Sequence, residues 1–261
     1  MQHHEDTLRA FVAAREKEAA AQGVILVGSI ARGVERIDSD VDVYLVVDES
    51  EFEQARFRNQ LSYVDYGVAT YTGGYVDVKL VSPSYLEMAE SRADDPTRAS
   101  FVDARVAWTR GTDFVTQLSR IVEVPEAAWI EKTETFIAQL RLYAGYFAPQ
   151  GDALADEYLL RWAAVHAVQA AGRALLADSR ILFRGNKYLQ SLVAGLPDAP
   201  IGFAQLCSRL LTEPSAQTAG ALLKTMEAHR PWSISSTQTL SLFVEQNELS
   251  WLTGAVPGEY R

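Results

Sequence analysis

Apolar residues and alanines recur at helical spacing over residues 8–21, with Glu16, Lys17 and Glu18 turned to water, so an amphipathic helix is expected to open the chain and stop at Gly23. The next run, Val24-Ile25-Leu26-Val27, is apolar on both faces and bounded by Gly28, which is the pattern of a buried strand. Residues 41–47 repeat that pattern. Residues 67–71 and 75–81 read as two further extended segments, with Thr72-Gly73-Gly74 supplying a tight hairpin turn between them. Residues 105–109 read as another short strand. Strands therefore crowd the first part of the chain, with helical segments between some of them, and predict an α/β or α+β domain on a small mixed sheet.

After Val122-Glu123-Val124-Pro125 the period changes to that of helices and keeps it almost to the end. Phe136, Leu140, Tyr143 and Phe147 form one stripe, Pro149-Gln150-Gly151 is expected to break that helix, and Leu154, Tyr158, Trp162, Val165 and Gln169 run along the next. Further helices are expected near 186–195, 202–211, 215–229 and 237–248. Two domains follow: residues 1–122 with the sheet, and residues 123–261 as an all-α helical bundle that binds substrate.

Acidic residues outnumber basic ones 34 to 24, for a net charge of −10 and a pI of about 4.9. That balance repels phosphate backbones and anionic lipid heads, which argues against a general nucleic-acid or membrane binder. The lone cysteine, Cys207, reads as a small buried apolar residue and allows neither an internal disulfide nor a multi-cysteine metal site. With no signal-like start and no long apolar run, a cytoplasmic protein without a membrane anchor is expected. His3 and His4 read as part of a solvated tail, and the five tryptophans as core or domain-interface anchors.

The chemistry concentrates in Val27-Gly28-Ser29, then ten residues, then Asp40-Val41-Asp42-Val43. Alternation along a strand turns Asp40 and Asp42 to one face and Val41 and Val43 to the core. Two carboxylates side by side repel unless a cation joins them, and Mg²⁺ takes one or two carboxylates together with water and phosphate oxygens. Gly28 lets a phosphate approach the backbone, and Ser29 can donate to it from its hydroxyl and amide. On a neighbouring predicted strand, alternation places Tyr75, Asp77 and Lys79 on one face, and Asp77 is the candidate third acid, as a metal ligand or general base.

These residues resemble the nucleotidyltransferase superfamily that includes DNA polymerase β, and more closely its bacterial branch of antibiotic (aminoglycoside and lincosamide) and minimal nucleotidyltransferases. Ala31-Arg32-Gly33 and Ser39 also match that branch. The resemblance covers residues 24–80 or so. It implies that Asp40 and Asp42 bind Mg²⁺ and the triphosphate of ATP or another NTP, that Gly28, Ser29, Arg32 and Ser39 contact the nucleotide, and that Asp77 is metal ligand or base. In the helical half, Leu182-Phe183-Arg184-Gly185-Asn186-Lys187-Tyr188-Leu189 is similar to a helix start in uncharacterised bacterial members; Lys187 there is either a point charge for the triphosphate or a surface lysine.

The resemblance thus implies transfer of a nucleoside monophosphate, AMP from ATP foremost, to a hydroxyl of a small molecule, with an aminoglycoside or lincosamide as an acceptor suited to the acidic charge. The alternatives are a regulatory or toxin–antitoxin enzyme that modifies a protein partner, and a nucleotide-binding module. Glu131, Glu134 and Glu157 stand as alternative bases, as in kanamycin-modifying relatives. Arg161 and His166 have the spacing of HEPN-type ribonucleases, but lie about 140° apart around a helix, so that only a dimer would converge two such pairs. A homodimer is a possible assembly, and template-independent polymerase activity is disfavoured by the acidic surface.

Overall fold

The structure is a computed structural model and describes residues 1–258. The chain divides into two compact units, Met1–Glu123 and Val124–Arg261. The first carries α1 (Gln2–Arg15), β1 (Ala21–Leu26), α2 (Gly28–Ala31), β2 (Val41–Val47), α3 (Glu49–Phe57), β3 (Ser62–Asp65), β4 (Val76–Val81), α4 (Pro83–Arg92), α5 (Asp95–Ser100), β5 (Arg105–Thr109) and α6 (Phe114–Val122).

The five strands form one mixed sheet in the order β3-β4-β2-β1-β5. Only the β2–β4 pair is parallel among the described pairings, and it sets Asp42 opposite Asp77. Both faces of the sheet are covered, which is why β1 and β2 are apolar almost throughout. Leu8 and Phe11 of α1 pack on Val24, Leu26, Val41, Val43, Leu45, Val76 and Val78. On the other face, Leu86 and Ala89 of α4 and Phe114, Leu118 and Ile121 of α6 pack on Ile25, Val27, Tyr44, Val46 and Val81.

Three expectations change in this unit. The opening helix runs over Gln2–Arg15, earlier than its apolar pattern suggests, because Ala21 and Gln22 belong to β1. Residues 67–71 are not a strand: the partner of β4 is β3, and a loop of residues 66–75 joins them. That loop is held by side chains, with the Thr70 hydroxyl donating to the His3 carbonyl at 2.9 Å and the Thr70 amide donating to the Thr7 hydroxyl at 3.0 Å. Those bonds use the groups a ladder would need. Finally, His4 is 0% exposed rather than solvated, and its ring meets that of Tyr71 edge-on at 5.1 Å.

The second unit is helical: α7 (Glu126–Leu142), α8 (Ala148–Ala153), α9 (Glu157–Asp178), α10 (Leu189–Ala194), α11 (Phe203–Thr212), α12 (Ala216–His229) and α13 (Thr239–Phe243), with π-helical turns at Tyr143–Phe147 and Val244–Glu248. Pro149 and Gly151 do not break the helix where expected. The π-turn widens the backbone just before Pro149, with the Ala148 amide donating to the Tyr143 carbonyl, so the proline sits in the first turn of α8 without removing a needed donor. The chain turns only after Ala153. Cys207 is buried, as expected, and burial pushes its thiol up to about 12. Among the described residues no helix is long and apolar enough to cross a membrane.

Candidate active site

Strand alternation and the parallel β2–β4 pairing bring Asp40, Asp42 and Asp77 together. One carboxylate oxygen from each lies within 4.8 Å of the others, and all three residues are half-buried. Such a cluster is electrostatically unfavourable by itself. Burial, and then the fields of Asp40 and Asp77, push Asp42 up to about 6 from an ordinary 3.8, while Lys79 and Arg32 pull weakly the other way. A bound cation would remove that conflict, and an all-oxygen set of this size suits a hard divalent ion such as Mg²⁺.

Gly28 leaves β1 with φ +75 and lies directly against the triad. A Cβ there would stand 1.9 Å from Asp42 Oδ2, so neither the conformation nor the space admits another residue. The adjoining backbone is fixed to the same strand, since the Val27 amide donates to the Asp42 carbonyl at 3.0 Å. Ser29 follows in the first turn of α2 and is half-buried. Arg32, just beyond α2, carries a buried Nε with no hydrogen-bond partner among the described residues. An orphaned guanidinium donor next to a carboxylate cluster could receive an anion such as a phosphate oxygen.

Ser39 is engaged within the loop that precedes β2. Its Oγ accepts from the Arg36 amide at 2.9 Å and its carbonyl accepts from the Tyr71 hydroxyl at 2.5 Å. Tyr71 reaches back because the buried Gly74 leaves room for its ring; a Cβ at Gly74 would lie 2.5 Å from the ring. Asp40 also hydrogen-bonds the Tyr75 phenol and, with its field, raises that phenol's pKa. Sequence reasoning puts Tyr75 on the right face but misses its bond to Asp40, and it reads Tyr71 as strand and His4 as solvated, missing their packing beside Ser39. The available signal is a glycine pair beside aromatic residues, which marks a close approach as readily as a hairpin.

Lys187 lies in the helical unit, exposed, with its ammonium 5.5 Å above the Tyr188 ring. Glu157 and Arg161 form an exposed pair at 3.7 Å, one turn apart on α9. His166 instead packs on Tyr143 and Trp162, at 5.0 and 4.7 Å between ring centres. Arg161 and His166 thus do different structural work on their own helix.

Residues 6–103 match the family described as the nucleotidyltransferase domain. This chain carries a nucleotidyltransferase domain. It is accordingly a transferase, of the class that moves a nucleotidyl group. The fold is similar to that of a nucleotidyltransferase-like protein from Exiguobacterium sibiricum 255-15, with a TM-score of 0.50 at 13% identity over 92% of this chain and 76% of that one. A spectinomycin adenyltransferase, AAD(9), from Enterococcus faecialis, solved with ATP and spectinomycin, aligns at a TM-score of 0.35 and 9% identity over 87% of this chain and 99% of that one. Among curated proteins none matches the chain.

Proposed function

We propose that the protein transfers a nucleoside monophosphate, AMP from ATP foremost, to a hydroxyl of a small molecule and releases pyrophosphate, with Mg²⁺ as the divalent ion. The observation that carries this reading is the convergence of three carboxylates within 4.8 Å against a glycine that no larger residue can replace. Asp40, Asp42 and Asp77 would hold the cation, which when bound supplies neutralisation of phosphate charge. The phosphates lie along Gly28, Ser29 and Arg32, where a backbone free of side chain and an unpaired guanidinium N–H receive them. Asp77, on the side of the triad away from Gly28, takes the proton of the acceptor hydroxyl. The acceptor oxygen bonds to the α-phosphorus as the bond from that phosphorus to the pyrophosphate oxygen breaks. The acceptor class is that of aminoglycosides or lincosamides.

The test is pyrophosphate release from each of the four NTPs with Mg²⁺, in the presence of kanamycin, spectinomycin, lincomycin or a protein extract, with Asp40→Asn as the blank. Release that depends on one small molecule and vanishes in the variant is the expected result. Release with extract alone would replace the small acceptor by a protein. Equal release from Asp40→Asn would overturn the assignment of the site.

A further inference from the structure

The helical unit carries two adjoining hollows that nucleotidyl transfer does not use. The inner one, of about 200 Å³, lies between α9, α10 and α11, with Val168, Leu189, Val193, Phe203 and Cys207 on its wall. The outer one, of about 360 Å³, shares Val168, Leu189 and Gln190 with it and adds Gln169, Asn186 and Lys187. All of these residues belong to the second unit, so the pair of hollows is a feature of that unit alone.

The inner hollow is apolar, and the helices around it are set apart by their own contacts. The five residues named on its wall are each less than a tenth exposed. At Gly172, α9 and α10 have no nearer approach, since a Cβ there would stand 2.8 Å from Leu189 Cδ1. The link from α10 to α11 carries Pro197 and Pro200, whose fixed φ stiffens it. Water is a poor filling for this space, because Cys207 offers the only polar side-chain atom among the buried wall residues, and a thiol is a weak partner. Dry cavities of about 150 Å³ with walls of this kind take up a molecule the size of benzene.

The outer hollow has the opposite chemistry. Lys187 is exposed on its wall, with the ammonium 5.5 Å from the centre of the Tyr188 ring. Beside it, Gln169 Nε2 donates to Asn186 Oδ1 at 3.1 Å, which leaves the Asn186 NH₂ to serve another acceptor. No acidic side chain lines either hollow, although the chain has a net charge of −10. One end of the paired space therefore favours hydrocarbon and the other favours an anion.

We propose that the helical unit holds a second binding site, for an amphipathic monocarboxylate, with an apolar body of about six to eight carbons in the inner hollow and the carboxylate at Lys187 and Asn186. The site is independent of the carboxylate triad. It binds its ligand without transforming it, because its walls hold neither a carboxylate nor a hydroxyl. One molecule there touches α9, α10 and α11 together, so that occupancy stabilises the helical unit.

Octanoate is the probe, added to the full chain, with acetate and 1-octanol for comparison and the lone thiol of Cys207 as reporter. The expected result is a raised Tm and, at roughly ten times the Kd of octanoate, labelling of Cys207 by an aromatic disulfide slowed about tenfold. Acetate should do neither, and octanol should bind about fivefold more weakly than octanoate. Lys187→Met, a change at an exposed position, should bring octanoate down to the affinity of octanol. A non-hydrolysable ATP analogue with Mg²⁺ should not compete with octanoate. The site is overturned if octanoate neither raises Tm nor protects the thiol. Equal binding of octanoate by wild type and Lys187→Met would remove the carboxylate from the proposal, and competition by the ATP analogue would return Lys187 to the nucleotide and refute a separate site.

Discussion

Gly28 and Asp42 stand so close that the position of a Cβ on the glycine falls 1.9 Å from the aspartate's Oδ2. The backbone at residue 28 and the carboxylate at 42 therefore form one surface, and a methyl group added to the first must displace the second. Gly28→Ala also meets φ +75, which costs an L-residue about 1–2 kcal/mol. The expected outcome is a Tm lowered by several degrees and kcat/KM lowered about 10²-fold or more. Normal turnover in this variant would show that Asp42 needs no such neighbour.

Asp40→Asn and Asp77→Asn should fail differently. On the proposed reading, losing Asp40 removes a ligand to the cation with almost no change of volume, so turnover should fall by about 10³-fold or more with the fold intact by circular dichroism. Losing Asp77 should lower kcat far more than it weakens ATP binding, because the proposed reaction gives that residue the proton of the acceptor hydroxyl. Steady-state kinetics beside nucleotide titration separates the two, and an equal loss in both quantities for Asp77→Asn would deny it the role of base.

The raised pKa of Asp42 makes a prediction about pH. In the metal-free protein the folded state keeps this proton between about 4 and 6, whereas the unfolded chain gives it up near its ordinary value. The folded state therefore binds more protons across that window, and stability should fall as pH rises through it, by about 3 kcal/mol at most. Adding Mg²⁺ should reverse the sign, since the cation binds the deprotonated carboxylates and is favoured as pH rises. Thermal melts at pH 4, 5, 6 and 7, with chelator and with Mg²⁺, check both slopes, and Asp42→Asn should flatten them.

Tyr71→Phe removes one hydroxyl and nothing else. Its hydrogen bond to the Ser39 carbonyl fixes the residue before Asp40, so the variant should lose about 1 kcal/mol of stability and weaken Mn²⁺ binding by about tenfold. Calorimetric titration of Mn²⁺ into wild type and variant measures the effect. An unchanged affinity with lowered stability would confine Tyr71 to a structural part.

Much of this site is legible in the amino-acid sequence, and the reason is periodicity. Asp40 and Asp42 are polar interruptions at alternate positions in a run that is otherwise apolar on both faces, and Asp77 repeats the pattern among Val76, Val78 and Leu80. Buried strands leave such marks because any break in their apolar face must have a use. The edge strand β3 leaves none: Ser62-Tyr63-Val64-Asp65 alternates between exposed and half-buried without a fully buried face, so nothing in its hydropathy sets it apart from a loop. Gly67 to Tyr71 has the better strand composition, but its polar groups are spent on α1 and on the loop before β2. His4 departs from expectation for a related reason. A histidine near a chain end is usually solvated, but the rings of His3 and Tyr71, at 4.0 and 5.1 Å, cover this one.

The parallel pairing of β2 with β4 also fixes when, during folding, the protein can acquire its chemistry. Asp40 and Asp42 are delivered together by a single strand, but Asp77 arrives only when β4, reached through a connection that carries α3 and β3, docks directly beside β2. Closing such a connection is entropically slow compared with forming a helix or a tight turn. A partly folded chain therefore carries two of the three acids and lacks the last. Recovery of divalent-cation binding after dilution from denaturant would follow the docking of β4, and so would serve as a clock for the completion of the sheet.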